Sequence, residues 1–438
     1  MDDHITADAE GRQVKRRKVF YIPGYDPIHP RRYRELYRTE SAAQADISGY
    51  DIGIAPKQGK NYGWRVESRM DRKSVDSDVE VLVWSDIVRG SMASSILATY
   101  LQLVRTAWTY ISSGALRRLM WLRKGPVIAA LYPVGMLLMQ LLTAVLVGLL
   151  AAKLLGIVLT TGAQGIISLV GEGPEDIDYS ILEAGRTVFK VVCFGLVAQT
   201  ILRWFKKKDG KFFAYYLMHD YAYSAHWKGA NPPDLEERMA DFRGIIAEAL
   251  ESDVDEVLVV GHSSGAHLAV STLADLIREG GVPKNGPALG FLSLGQVVPM
   301  VSFLPQADRL RGDLHYISTR DELAWIDVTA PGDGCAFALC DPVAVSGVSP
   351  EGQKWPLVIS AAFTQTLSPE RWKELRWKFF RLHFQYLCAF DRVGDYDYFR
   401  ITAGPLTLAE RFKGRAPSKS RIDVAASKFT SMSHERPA

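Results

Sequence analysis

Residues 257–270 read VLVVGHSSGAHLAV, and Gly261-His262-Ser263-Ser264-Gly265 within them has the spacing G-x-S-x-G. A serine hydroxyl is a weak nucleophile until geometry activates it. It must stand clear of the backbone, next to a base and to donors that hold the developing oxyanion. A sharp strand-to-helix turn does this, and flanking glycines let neighbouring backbone approach without a clashing Cβ. The flanks here suit that turn: a strand is expected over residues 254–260, VDEVLVV, and a helix over AHLAVSTLADLIRE. The phasing selects Ser263 as nucleophile and leaves Ser264 to offer its backbone N–H at a helix N-terminus. A plain small-residue turn of a nucleotide-binding fold is the competing reading. It would call for a phosphate loop or G-x-G-x-x-G, and the sequence has neither.

The elements around this stretch alternate. An apolar run at 18–27, KVFYIPGYDP, ends in Pro-Gly and Asp-Pro and reads as a first strand, followed by a helix from RRYRELYRTESAAQ. YDIGIAP and WRVESR read as a hairpin, and VEVLVWSDIV at 79–88 as a buried strand. Residues 234–252 form an amphipathic pattern; LGFLSLG, AWIDVTA and PLVISAAF read as further strands. Strands alternating with helices predict an α/β fold with a mostly parallel sheet flanked by helices.

One interruption breaks the alternation. PVIAALYPVGMLLMQLLTAVLVGLLAA, residues 126–152, has no charged residue and as a helix would run about 40 Å, beyond the ~30 Å hydrocarbon core. TVFKVVCFGLVAQTILRWF, residues 187–205, is a second candidate span, with Lys190 placed to snorkel. Arg117, Arg118, Arg123 and Lys124 precede the first span, and Arg203, Lys206, Lys207 and Lys208 close the second; the loop GEGPEDIDYS between them is acidic. Basic flanks predict that both outer ends face the cytoplasm. An even number of crossings also returns the chain to one sheet. Residues 90–208 are therefore expected to be a membrane-associated insertion with a helical membrane hairpin. It divides an α/β domain into 18–89 and 209–412, with disordered ends at 1–17 and 413–438. Residues 95–122, rich in Trp, Tyr, Leu and Arg, suit a helix in the headgroup layer or a lid.

The strand order, the GHSSGAHLA elbow and an early loop at FYIPGYDP together resemble the α/β-hydrolase superfamily, over most of the chain outside residues 90–208 and the two ends. The resemblance implies an oxyanion donor in the loop after an early strand, where Gly24 and Tyr25 offer N–H groups beside that of Ser264. Pro23 stands where the family usually has His before Gly. It also implies the chain order nucleophile, acid, histidine. Of the histidines after Ser263, His267 lies on the elbow helix, His315 precedes the expected acid and His434 sits in the tail, leaving His383 in KFFRLHFQYL. For the acid, Asp333 lies in the Gly-rich loop of WIDVTAPGDG just past a strand end. Asp341 in CDPV is its rival, and both also suit ordinary turns.

The expected function is a membrane-anchored serine hydrolase, a cytoplasm-facing esterase or lipase whose acyl-ester substrate lies in membrane lipid. It would use Ser263, His383 and Asp333 through an acyl-enzyme and need no cofactor. The alternative is a catalytically silent hydrolase-like scaffold or binding protein of the membrane. The chain of 438 residues carries a net charge of only +3, too small a surplus to argue for nucleic acid. Its polar, charged opening is not expected to be a secretory signal, so Cys193, Cys335, Cys340 and Cys388 are expected as thiols. The C-x4-C of Cys335 and Cys340 has no second pair at zinc-site spacing.

Overall fold

The computed structural model describes residues 13–57, 59, 61–92, 95–170 and 179–433. Eight strands form one mixed sheet: β1 (Arg16–Ile22), β2 (Asp51–Pro56), β3 (Gly63–Met70), β4 (Lys73–Val81), β5 (Glu256–His262), β6 (Ala288–Leu294), β7 (Leu323–Thr329) and β8 (Leu357–Ser360). Their order is β2-β3-β4-β1-β5-β6-β7-β8. Pairing is parallel from β4 through β1 to β8 and antiparallel across β2-β3-β4. The expected α/β class is thus present.

Residue chemistry separates the two regions. Every residue of β5 and β7 is buried, as near-continuous apolar runs must be when helices cover both faces of a parallel sheet. In β3 buried and exposed residues alternate, the pattern of an antiparallel strand with one wet face. β4 begins earlier than the apolar run at 79–88 suggests, because its first half, KSVDSD, is polar; the run's end turns instead into the helix Ser85–Ser91. The tight β3–β4 turn places Asp71 and Arg72 in the left-handed region, at φ 51° and 63°, as the twist of a two-residue hairpin requires.

Helices Pro233–Leu250, Gly265–Arg278 and Asp308–Ile317 pack together beside the sheet. A charged cluster joins them: Arg309 donates to Glu236 at 2.8 Å and to Asp275 at 2.9 Å, and Arg278 donates to Asp313 at 2.5 Å. Each buried acid there has a guanidinium partner, which offsets the cost of taking charge out of water.

Asp327 on β7 has no such partner. Its Oδ1 accepts from Ser293 at 2.6 Å, and its Oδ2 is buried without a hydrogen bond. Burial pushes its pKa up to about 8. An unfolded aspartate ionises near pH 4, so between about pH 4 and 8 the folded chain holds a proton that the unfolded chain has lost. Stability from this group is therefore highest at acid pH and falls as pH rises, by about 1 kcal/mol per pH unit inside that window. Asp327→Asn is expected to flatten this slope. Its Tm should drop less than the wild type's between pH 5 and pH 8, and equal drops would contradict the assignment.

Both chain ends depart from expectation. Val14 donates to Pro405 O at 2.9 Å and Gln13 bridges to Leu406, so the ordered domain starts before residue 18. Residues 413–433, expected to be disordered, are fixed along the domain. Ser418 N–H bonds Val358 O, Ile422 N–H bonds Leu339 O, Ala426 N–H bonds Val345 O, and Arg311 holds Ser431 O at 2.7 Å. The segment pairs its amides with other elements and makes no helix or strand ladder of its own, so it carries no apolar period to read. The expectations for residues 1–12 and 434–438 lie outside the described residues.

The chain divides into two compact units, one of Met1–Met92, Arg105–Ala129 and Tyr223–Ala438, the other of Ala93–Val104 and Ala130–Ala222. The boundaries differ from the expected 90–208, because the helix Ala115–Leu122 belongs with the α/β unit. The helices Lys124–Val170, in the second unit from residue 130 on, and Tyr179–Lys207 contain stretches long and apolar enough to cross a membrane: Lys124–Gly162, mean hydropathy 2.4, and Glu183–Lys207, mean hydropathy 1.5. Both stretches are far more exposed than the core helix of a soluble protein. They approach closely at glycine: a Cβ on Gly148 would lie 2.9 Å from the Phe194 ring. The acidic loop, residues 171–178, lies outside the described residues.

Candidate functional site

The chain runs from β1 outward to β2 and returns to lay β5 on the other side of β1. In open parallel sheets the crevice at such a reversal, at the carboxyl ends of the strands, is where ligands bind. Gly24 follows β1 there and Ser263 follows β5.

Ser263 is held at φ 57°, in the left-handed region that a side chain rarely adopts. Its N–H donates to Leu294 O at the end of β6, at 2.9 Å. The turn closes because two glycines remove obstacles. A Cβ on Gly265 would fall 2.1 Å from Ile22 O, and one on Gly261 would fall 2.8 Å from Ala266 Cα and Gly265 O. The helix Gly265–Arg278 starts directly after, with Ser264 at its N-cap, so the first-turn N–H groups and the helix dipole point toward the elbow.

Gly24 lies against the serine: a Cβ there would stand 2.9 Å from Ser263 Cβ and 3.3 Å from its Oγ. The preceding carbonyl, Pro23 O, accepts from Trp84 Nε1 at 2.9 Å, which anchors this loop. Tyr25 is buried, and its hydroxyl hydrogen-bonds Ser91 Oγ at 2.7 Å. The three expected oxyanion donors thus sit on the two loops that flank the serine.

Asp333 and His383 are 50 residues apart in sequence and meet through a 2.7 Å hydrogen bond from His383 Nδ1 to Asp333 Oδ2. A carboxylate only accepts, so Nδ1 carries the proton and Nε2 of the neutral ring keeps its lone pair. Burial alone would raise the Asp333 pKa. The His383 ring, the Cys335 N–H at 2.8 Å and the Tyr386 hydroxyl at 3.0 Å outweigh it and hold the carboxyl below its ordinary value. His383 also reaches the elbow. A Cβ on Gly295, at the end of β6, would stand 3.1 Å from its Cε1, and its backbone carbonyl accepts from His262 Nε2 at 3.0 Å. Among the described residues, no hydrogen bond joins the His383 ring to Ser263 Oγ.

No family model, curated protein or solved structure matches this chain.

The other candidates lie elsewhere. Asp341 accepts from Val343 and Ala344 N–H as the N-cap of a short helix and from Gln353 at 2.9 Å, and it makes no hydrogen bond to His383. His267 is buried in the helix after the elbow, pushed down to about 4 by burial, and its Nδ1 has no partner. His315 pairs through Nδ1 with Val348 O at 2.9 Å. His434 lies outside the described residues.

Two supporting residues went unread in the sequence. Tyr386 accepts from Ala330 N–H at 2.9 Å while its hydroxyl donates to Asp333, so it fixes the carboxylate against the end of β7. His262 stacks its ring 4.9 Å from that of His383. Burial pushes its pKa down to about 3, so it stays neutral with Nε2 donating and Nδ1 accepting from Tyr21 at 3.2 Å. Tyr386 stands three residues after His383, and that spacing is the only sequence signal the pair offered.

Asp333, Cys335 and His383 bring a carboxylate oxygen, a thiol sulfur and an imidazole nitrogen within 4.8 Å of one another, donors of the kind zinc accepts. Two of the three are already engaged in the Asp333–His383 hydrogen bond.

Proposed function

We propose that this protein is a membrane-anchored serine hydrolase of α/β-hydrolase type, cleaving a carboxylic ester of a lipid or other long-chain acyl compound. The observation that carries the reading is the Asp333–His383 hydrogen bond at the same sheet end as a serine held at φ 57°. His383 Nε2 accepts the Ser263 proton as Oγ attacks the acyl carbonyl. Asp333 keeps the ring in the required tautomer and stabilises the imidazolium. The N–H groups of Ser264 and of the Gly24–Tyr25 loop hold the tetrahedral oxyanion. The imidazolium returns the proton to the leaving alcohol, and water releases the acyl group by the reverse sequence. The two apolar spans keep the site near acyl-bearing lipid, and their basic outer flanks favour a domain on the cytoplasmic side.

The absence of a Ser263–His383 hydrogen bond is the observation that favours a silent scaffold. It weighs less than the ordered Asp–His pair, because such contacts are often long before substrate binds and tighten in the complex. The test is turnover. Purified protein in phospholipid vesicles should release fatty acid from a long-chain monoacyl or diacyl ester faster than its Ser263→Ala variant. Equal release across a range of chain lengths would sink the reading.

The Gly24 loop gives a second expectation. Gly24→Ala puts a methyl against Ser263 Cβ, so either the serine or the loop carrying the donors must shift. Misplacement on this scale costs about 10²-fold in rate. Thermal stability should change little by comparison, since Gly24 is half-buried at a loop. A variant with unimpaired turnover would show that the loop does not bear on the serine.

A further inference from the structure

The helix Ile96–Ser112 has its polarity inside out. Leu97, Leu101, Val104, Trp108 and Ile111 are each 61–71% exposed. Their spacing of 4, 3, 4 and 3 puts them in an arc of about 80° at 3.6 residues per turn. The buried side carries Thr99, Leu103, Thr106, Thr109, Tyr110 and Ser113. That side can be polar because four of its five hydroxyls are satisfied: Thr99 and Thr109 donate to the carbonyl four residues back, as does Ser113, and Tyr110 donates to Met300 O at 2.9 Å. A helix that turns hydroxyls inward and a leucine–valine–tryptophan stripe outward is built for an apolar medium outside.

We propose that this stripe lies in the headgroup–acyl boundary of a bilayer containing anionic lipid, as an in-plane helix separate from the two spans. Three observations select lipid over a protein partner. Arg105, one position past Val104 and at the edge of the stripe, is exposed, as are Arg117 and Trp121 (68%) on the next helix and Lys124 after it. Arginine and tryptophan at the margin of an apolar face suit anionic headgroups and the interfacial layer. A self-paired seam would instead bring Arg105 against a second copy's Arg105, with no acid exposed on the helix to meet it. Finally, Lys124 opens the longer apolar span 13 residues after Ile111, so the chain tethers the stripe within about 45 Å of any bilayer that the span enters. With 17 residues and a central Arg105, the helix is itself too short and too polar to be a span.

The test uses full-length protein in nanodiscs of mixed zwitterionic and anionic lipid, with Cys193, Cys335, Cys340 and Cys388 replaced. An environment-sensitive fluorophore is attached through Val104→Cys, through Ile111→Cys and, as an exposed reference, through Lys284→Cys. At Val104 and Ile111 we expect blue-shifted emission, quenched at least twofold more by lipids spin-labelled near the glycerol than by lipids labelled at the chain end. Water-like emission equal to that at Lys284 would overturn the proposal. So would strongest quenching by chain-end labels, which means a span, or blue-shifted emission without lipid quenching but with energy transfer between copies, which means paired protein. If the cysteine-free protein fails to fold, quenching of tryptophan by brominated lipids is compared in wild type and Trp108→Phe. The wild type should lose more emission, and equal loss would overturn the proposal. None of these readouts depends on Ser263 chemistry.

Discussion

Replacing Ser263 with alanine is expected to lower ester turnover by at least about 10⁴-fold, and His383→Ala by a comparable factor. In the proposed mechanism each removes one half of a single proton-transfer event, so the double variant should be little worse than either single one. Asp333→Asn is the more searching change, because it is nearly isosteric. It keeps a side chain at 2.7 Å from His383 Nδ1 but offers an amide where a carboxylate stood. The imidazole then loses the acceptor that fixes its proton on Nδ1, and Nε2 is no longer held as the base. A loss of about 10⁴ in kcat, with KM nearly unchanged, is expected. Asp341→Asn should leave kcat within a few-fold, since Asp341 caps a helix and makes no contact with His383. A larger loss for Asp341→Asn than for Asp333→Asn, measured by stopped turnover of one ester, would overturn the assignment of the acid.

Gly265→Ala is expected to cost the fold about 3 kcal/mol or more, a large part of an ordinary domain's stability. The Cβ would sit 2.1 Å from Ile22 O and 2.7 Å from Pro23 O. Those atoms are backbone at the end of the buried strand β1, and they cannot turn aside as a flexible side chain could. The helix after the elbow must pull away from β1, carrying Ser264 and Ser263 with it. The comparison is Gly244→Ala, in the helix Pro233–Leu250, where a new Cβ meets nothing within 4 Å. That change should be neutral or stabilising by up to about 1 kcal/mol, because alanine forms helix better than glycine. The two unfolding midpoints, compared in one detergent or nanodisc, check both. Equal midpoints would mean that the elbow is not packed as described.

These two positions illustrate what could be read from the sequence. The elbow was legible because its physics is local: the apolar run at 257–260, a glycine on either side and a helix directly after all fall within 14 consecutive residues. Most strands of the parallel region were legible for the same reason, as near-continuous apolar runs. The first half of β4 was not, since its polar KSVDSD stretch, with Ser74 and Asp76 exposed on a half-wet ribbon, imitates a loop. The Asp333–His383 pair could be reached only through chain order and a family resemblance, because the 50-residue separation has no local signature. Tyr386 and His262 were invisible: an aromatic and a histidine in apolar segments look like core, and only the fold turns their polar atoms toward Asp333 and the His383 carbonyl. The C-terminal segment escaped for another reason. Its amides are satisfied one at a time by Val358, Leu339 and Val345, a pattern with no period.

The proposed hydrolase activity stands or falls with Ser263 as an activated nucleophile. The direct measurement is covalent labelling of the full-length protein, in native membranes, by a fluorophosphonate probe, with the modified peptide mapped by mass spectrometry. A single adduct on Ser263 is expected, lost in Ser263→Ala and strongly slowed in His383→Ala and Asp333→Asn. A folded wild type that takes no label, or takes it equally when His383 is gone, would contradict it.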